Sequence, residues 1–518
     1  MQKSHRIIFN ASITYLRFFI TIFLSFYTTR ITLEVLGVED FGLYSVIGGI
    51  VAMIAFFNTA LAQATQRFLS YCIGSGDLNE IRKVFANSII IHLGLALFLL
   101  ILLETAGVYY VNNILNVEDD RMRAANILLQ LAILASMFNI VSVPYMALLY
   151  AKENMFFIAQ MDLLIAILRL LIVLGLLYFG DQINMDILVA YGFFVMLAFL
   201  FNRIILQIYV RKKYPEYKGV GVLKGFDRRR LLEQALFAGW NLLSVLGSFV
   251  RNNGIALVLN SFMGTKINAS YSIGNQISNQ AQFFTNSLFQ ALSPQIIGSE
   301  GKSNRESMIR LGLLGTKYGA LVICLCSIPA IFLMDDLLSI WLKEIPQYTN
   351  IMASTLLVCV VLNEFTRGLE TMVYAIGKIK NYTIFLSLIK ILAIPLSIIV
   401  FKLNMGSPIY FVLIILILIE VLTFLFRIVY VKNKNVISFK DYMSIVILKT
   451  LFPVGMYILS FFVMSFLISG FITKLVASLV NIIIFLVMVY HFSMEEKDRN
   501  GLKKLKSVIF EKIKMKFN

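Results

Sequence analysis

Leu36-Gly37-Val38-Glu39-Asp40-Phe41-Gly42-Leu43-Tyr44-Ser45 and Met263-Gly264-Thr265-Lys266-Ile267-Asn268-Ala269-Ser270-Tyr271-Ser272 are one pattern written twice, 227 positions apart (263 minus 36). Each copy opens on an apolar residue and a glycine, closes on Tyr-Ser, and separates two long apolar stretches. Further along, at an offset of 224, Asn139, Tyr150, Ala151 and Leu164 align with Asn363, Tyr374, Ala375 and Leu388. The chain therefore reads as two similar halves. Everything else in the sequence concerns what those halves are made of.

They are made of membrane helix. The 518 residues are 59% hydrophobic and only 14% charged, whereas a soluble domain carries about 25% charge. At roughly 22 residues per span, the apolar material suffices for about 12 to 14 transmembrane helices and leaves no room for a large soluble domain. Apolar windows predict them near 13–36, 41–62, 84–106, 124–149, 156–179, 187–210, 237–260, 266–292, 311–333, 350–374, 382–402, 407–430, 446–468 and 472–492. The start, with Lys3, His5 and Arg6, has the charge of a signal-peptide n-region, but the apolar run continues to Leu36 without a small-residue cleavage pattern. It is expected to be a retained first helix.

Charge sets the expected topology. Lys and Arg number 46 against 29 Asp and Glu, a net +17. With the N-terminus inside, alternate loops carry the basic residues: Arg82 and Lys83, Lys152, the cluster from Arg211 to Arg230, Lys302 and Arg305, Lys378 and Lys380, Lys432 to Lys440, and the tail from Lys497. The opposite loops hold Glu39 and Asp40, Glu118 to Asp120, Asp181 and Asp186, and Asp335 and Asp336, with Arg121, Arg123, Lys266 and Lys402 as exceptions. Adding or removing one helix would destroy this alternation, so an even number with both termini cytoplasmic is favoured. The basicity is read as topology, not nucleic-acid binding. Six helices per half is even, so the halves share one orientation about an axis along the membrane normal, a design that builds a cavity opened alternately to each side. The expected organisation is an N-lobe at 1–210, a basic linker at 211–236, a C-lobe at 237–431, and two added helices with a basic tail at 432–518.

Charges deep in a bilayer cost about 2.5 to 3.5 kcal/mol on insertion scales and call for an explanation. Arg169 lies about 20 Å into its window, Arg251 is well inside its own, and Lys390, shifted by 224, falls at Ala166, one turn from Arg169. These three are candidates to line a cavity, the alternative being ion pairs between packed helices. Arg17 and Lys317 lie about a turn from an edge, where a long side chain can instead snorkel to water. Glu364, Arg367 and Glu370 follow at i, i+3 spacing and can neutralise one another. Asp162 and Glu420 are candidate partners for Arg169 and Lys390 respectively, and Glu420 could instead carry a coupling proton.

The window at 266–292 is the most polar. Asn268, Asn275, Asn279, Gln282 and Asn286 share one helical face, widened by Gln276 and Gln280. Asn241, Ser244, Ser248, Arg251 and Asn252 form a second stripe in the preceding window. Amides offer donors and acceptors together and suit sugar hydroxyls, although they can also join helices. Enzymatic signatures are missing: His5, His92 and His491 are isolated, Cys72, Cys324, Cys326 and Cys359 form neither a zinc spacing nor a disulfide framework, and no phosphate-cradling loop is present. No cofactor, metal or catalytic activity is expected.

Asn10-Ala11-Ser12 leading into a first helix that ends Thr29-Arg30, the Leu36-Gly37-x3-Phe41-Gly42-x-Tyr44 motif, the stretch from Pro144 to Tyr150 and the two-lobe pattern resemble the Wzx-type polysaccharide flippases of the multidrug/oligosaccharidyl-lipid/polysaccharide exporter superfamily. The resemblance covers essentially the whole chain. It implies an all-α, MATE-like fold in the bacterial inner membrane and translocation of undecaprenyl-diphosphate-linked O-antigen or capsule units through a cationic cavity. It further implies H+ or Na+ as candidate coupling ions, membrane lipids as surroundings and glycan polymerase machinery as a candidate partner. Arg17 and Arg251 correspond to the family's first- and seventh-helix cations. The acids Glu364, Glu370 and Glu420 depart from a purely cationic cavity. A cation-coupled drug exporter of the same superfamily is the alternative, with a membrane glycan polymerase or ligase behind it.

Overall fold

The computed structural model describes residues 3–52, 55–113, 115, 120–182, 184–214, 217, 225–342, 345–403, 407–468, 470–496 and 499. These residues are helical almost throughout and contain no strand. The main elements are α1 (Lys3–Ala52), α2 (Ala55–Ser75), α3 (Leu78–Leu102), α4 (Met122–Ala151), α5 (Met155–Phe179), α6 (Ile187–Lys213), α7 (Arg228–Met263), α8 (Thr265–Gly301), α9 (Arg305–Phe332), α10 (Thr349–Glu364), α11 (Arg367–Ile376), α12 (Lys380–Ile391), α13 (Ala393–Lys402), α14 (Pro408–Asn433), α15 (Leu448–Leu467) and α16 (Phe471–Met488). Eleven helices in the described residues are long and apolar enough to cross a membrane, twelve when α10 and α11 count as one bent span. The described residues of the predicted windows 41–62 and 266–292 are helical but lie outside this number. The first is divided between α1 and α2, and the second carries the amides of α8. The all-α membrane architecture predicted from the sequence is observed, and the figure of fourteen is not reached by this measure.

The backbone repeats where the sequence does. Gly37 breaks α1 with φ 74° and ψ 174°, and Gly264, its counterpart at offset 227, separates α7 from α8 with φ 83°. Side chains avoid that region because Cβ meets the backbone there. The same offset relates the left-handed residues Gly76 (φ 79°) and Ser303 (φ 57°), and the offset of 224 relates Glu153 (φ 56°) and Gly377 (φ 87°). Caps repeat as well: Asp77 accepts the N–H groups of Asn79 and Glu80 at the start of α3, and Asn304 accepts that of Ser307 at the start of α9.

The chain divides into two compact units, Ser12–Leu242 with Gly301–Ser303, and Leu243–Glu300 with Asn304–Asn518 and Met1–Ala11. The division falls within α7, and residues 228–236, expected to belong to the linker, are already helical. In the first unit Leu128, Leu129, Ile133, Leu188 and Ile47 form a tightly buried core between α1, α4 and α6. The second unit has cores around Ile255, Leu259, Met352 and Ile419 and around Cys324, Tyr457, Phe461 and Phe485. In lipid, apolar burial between helices gains little over contact with acyl chains, so close packing and hydrogen bonds carry more of the association.

Two windows expected as single spans are interrupted. Leu392 separates α12 from α13; three residues on, Pro395 lacks the N–H that would bond the Ile391 carbonyl. At Phe365 and Thr366 the chain bends by 46° between α10 and α11. No proline lies there. At that bend the Tyr442 hydroxyl donates to the Phe365 carbonyl at 2.9 Å, while the Asn363 carbonyl accepts the Thr366 N–H at 3.2 Å and also Arg427 Nη1 at 3.4 Å.

Candidate functional site

In the first unit, the deep charges separate into a paired and an unpaired set. Arg17 on α1 forms an ion pair with Asp162 on α5. Asp162 was expected to serve Arg169; it lies seven positions away on the same helix, about two turns, and meets α1 instead. Arg169 has no carboxylate within ion-pair distance among the described residues. Its guanidinium lies 5.2 Å from the Phe199 ring centre and lines a cavity of about 340 Å³. Asn58, Ser136 and Asn139 line the same cavity, with Asn58 donating to Asn139 at 3.4 Å, and Leu99, Leu103 and Leu128 supply apolar wall.

The second unit holds three networks. Arg251 on α7 pairs with Glu420 on α14, and its Nε donates to Asn252 Oδ1 at 3.1 Å. The other Glu420 oxygen accepts from Asn363, the repeat partner of Asn139, at 3.4 Å. Glu420 was expected beside Lys390; Arg251 takes it, and the Lys390 ammonium donates to Ser248 Oγ at 2.8 Å. Lys390 is 9% exposed and, like Arg169, has no carboxylate within ion-pair distance among the described residues.

The second network forms at the bend. Glu364 Oε1 accepts from Arg367 at 2.7 Å and from Thr285 at 2.9 Å, while Arg367 Nη2 reaches Asn286 Oδ1 on α8. The other Glu364 oxygen is buried with no donor among the described residues. Mutual neutralisation of Glu364, Arg367 and Glu370 thus holds only for the first two. Arg367 and Glu370 share α11, but Arg367 is drawn across the bend to Glu364 and on to Thr285 and Asn286 of α8, and Glu370 belongs to a third network. There Arg427, 1% exposed, donates to Glu370 at 2.8 Å, Tyr382 at 3.1 Å and Thr366 at 3.1 Å. Arg427 was not singled out in the sequence, although the offset of 224 pairs it with Arg203, whose guanidinium lies 4.2 Å from the Tyr145 ring centre.

Two expected members have structural surroundings. Lys317 is fully buried and donates to the Ser493 carbonyl at 2.9 Å, tying α9 to the end of the last helix rather than snorkelling to an edge. Asn241, in the stripe on α7, is also buried and donates to the Ala60 carbonyl at 2.8 Å and to Gln63 at 3.1 Å. On α8, by contrast, Gln276, Asn279, Gln280 and Asn286 are exposed and Asn275 and Gln282 half-buried. The side chain of Asn268 lies outside the described residues. No cluster of three or more His, Cys, Asp or Glu suited to a metal occurs among the described residues.

Residues 7–298, more than half of the chain, match the family model described as polysaccharide biosynthesis protein. The chain belongs to the polysaccharide biosynthesis protein family. Among curated proteins, none matches the sequence significantly. Among solved structures, this family member is similar to a MATE protein in the bent conformation (TM-score 0.71, 14% identity, 84% of this chain and 97% of that one) and to an outward-facing multidrug resistance MATE family transporter of the MOP superfamily (0.70, 12%, 84% and 96%). It is also similar to a MOP superfamily transporter from Pyrococcus furiosus whose binding pocket is described as having reverse polarity (0.69, 13%, 83% and 96%). At such identities the likeness establishes the fold alone. The polysaccharide biosynthesis family member is thus a multi-pass membrane protein with the fold of MATE transporters.

Proposed function

We propose that the protein is a flippase that moves undecaprenyl-diphosphate-linked oligosaccharide units across the bacterial inner membrane by alternating access, supplying O-antigen or capsule synthesis, with both termini cytoplasmic. The carrying observation is the pair of deep cations without carboxylate partners, Arg169 in one unit and Lys390 in the other. A diphosphate crossing an apolar medium needs such partners, whereas a cationic drug would be repelled by them. The exposed amides Asn279 and Gln280, with Asn275 and Gln282, support contact with sugar hydroxyls, since amides at that depth are expensive against lipid and suited to a wet surface. Arg17 and Arg251 join the substrate path by exchanging Asp162 and Glu420 for phosphate oxygens. Glu364, with one buried oxygen lacking a donor, is the candidate proton carrier if transport is coupled to H+.

Deletion in the native bacterium tests the reading. Surface glycan should be lost and lipid-linked units should accumulate on the cytoplasmic leaflet. Normal surface glycan in the deletion strain would refute it, and altered drug sensitivity with intact glycan would favour an exporter.

A further inference from the structure

The end of α6 carries a feature that neither the flippase reading nor the deep charges use. Phe157 on α5 and Tyr209 on α6 stack nearly parallel, at 6°. Asn154, which caps α5, donates to the Tyr209 hydroxyl at 2.9 Å and to the Tyr214 hydroxyl at 3.3 Å, so the stack is fixed from below. Beside it opens a cleft of about 420 Å³ lined by Phe157, Ile205, Ile208, Tyr209, Lys212 and Lys213. Ile208 is 48% exposed, and both lysines are exposed with no carboxylate within ion-pair distance among the described residues.

We propose that this cleft binds an anionic phospholipid, its phosphate between Lys212 and Lys213 and its acyl chains along Ile205 and Ile208. The site lies where an apolar span passes into the run Arg211-Lys212-Lys213, the height at which a lipid phosphate meets its chains. The charge is complementary to a phosphate, and the wall below it is apolar, which suits the acyl chains of a lipid and gives a free inorganic anion nothing to bind. The Phe157–Tyr209 stack, held by Asn154, gives the cleft a fixed aromatic floor. The neighbouring Lys152, whose ammonium lies 5.5 Å from the Tyr214 ring centre, adds positive potential to the same corner.

The test uses the full-length protein in mixed micelles, with bound lipid counted by native mass spectrometry for phosphatidylglycerol and phosphatidylcholine. Wild type should retain phosphatidylglycerol in preference to phosphatidylcholine. At about a tenfold loss per 1.4 kcal/mol and about 1 kcal/mol per surface lysine, Lys212→Gln/Lys213→Gln should lower that retention roughly 30-fold. Ile208→Trp, which fills the cleft and keeps both charges, should also lower it, and Arg211→Gln, outside the cleft, should not. Equal retention of phosphatidylcholine by wild type, unchanged retention in the double variant, an equal loss in Arg211→Gln, or displacement of phosphatidylglycerol by millimolar inorganic phosphate would each overturn the proposal.

Discussion

Replacing Glu370 by Gln strands the Arg427 guanidinium, and the size of the effect follows from its surroundings. Removing one partner of a buried pair costs about 3–5 kcal/mol when the remaining charge has nowhere to go. Here Arg427 is 1% exposed, while Glu370 is 24% exposed, so the pair is sealed on the cation's side only. The Tyr382 hydroxyl, Thr366 Oγ1 and the Asn363 carbonyl remain as neutral acceptors, each worth about 1 kcal/mol. The expected loss for Glu370→Gln therefore falls at or below the bottom of that range, about 2–3 kcal/mol. Arg427→Met should cost a similar amount, because Glu370 loses its cation and the Tyr382 hydroxyl and Asn363 carbonyl each lose one donor. The double variant should cost clearly less than the sum, since neither charge is then left alone. SDS-driven unfolding of the purified protein in mixed micelles measures all three. Arg203→Met is the internal control: its cation rests on the Tyr145 ring, where such a contact contributes about 0.5–2 kcal/mol. A loss for Arg427→Met no greater than for Arg203→Met, or strict additivity in the double variant, would refute the assignment of Arg427 and Glu370 to one charge network.

Arg169→Ala should abolish most glycan export while protein abundance is kept, because no acid is stranded; immunoblot and surface-glycan staining read the two effects, and wild-type export would return Arg169 to a packing role. Arg251→Ala should lower abundance as well, since Glu420 is left buried, and Arg251→Ala/Glu420→Gln should restore abundance without restoring export. Cysteine labelling along residues 270–290, in a background lacking the four native cysteines, should follow a three-to-four-residue period that peaks at Gln276, Asn279, Gln280 and Asn286, and uniform protection would remove the amides from any aqueous path. Gly37→Ala and Gly264→Ala should each cost about 1–2 kcal/mol in the same SDS titration through backbone strain alone, because nothing lies within 4 Å of the added Cβ at either site; a neutral result at both would show that these turns relax.

The repeat was legible because it is written in turn residues and spans, which identity and hydropathy preserve. Its two offsets, 227 and 224, are the ones at which left-handed residues and helix caps recur. The deep cations were legible because charge in an apolar window stands out. Their partners were not. A carboxylate's partner depends on which neighbouring helix it faces, so Asp162 was matched to Arg169 on its own helix although it meets Arg17, and Glu420 was matched to Lys390 although Arg251 reaches it. The bend at Phe365 was also hidden, because no proline marks it, and Glu370's choice of Arg427 over Arg367 depends on which helices face α11. The amides of α8 announced a polar face, but only exposure separated them from Asn241, an equally polar residue that is fully enclosed.

The matched turns have a consequence for divergence after duplication. Gly76 and Ser303 hold the same left-handed conformation with different residues, as do Glu153 and Gly377, so the backbone path has been inherited more strictly than the letters that encode it. Apart from the Arg203 and Arg427 pair, three of the deep ionic residues were not inherited in this way: Arg169 has alanine at its twin, Lys390 has Ala166, and Glu420 has Met196. A lesion in a turn thus has a duplicate elsewhere against which its effect can be compared, whereas each of these charges was acquired by one copy alone and has no spare.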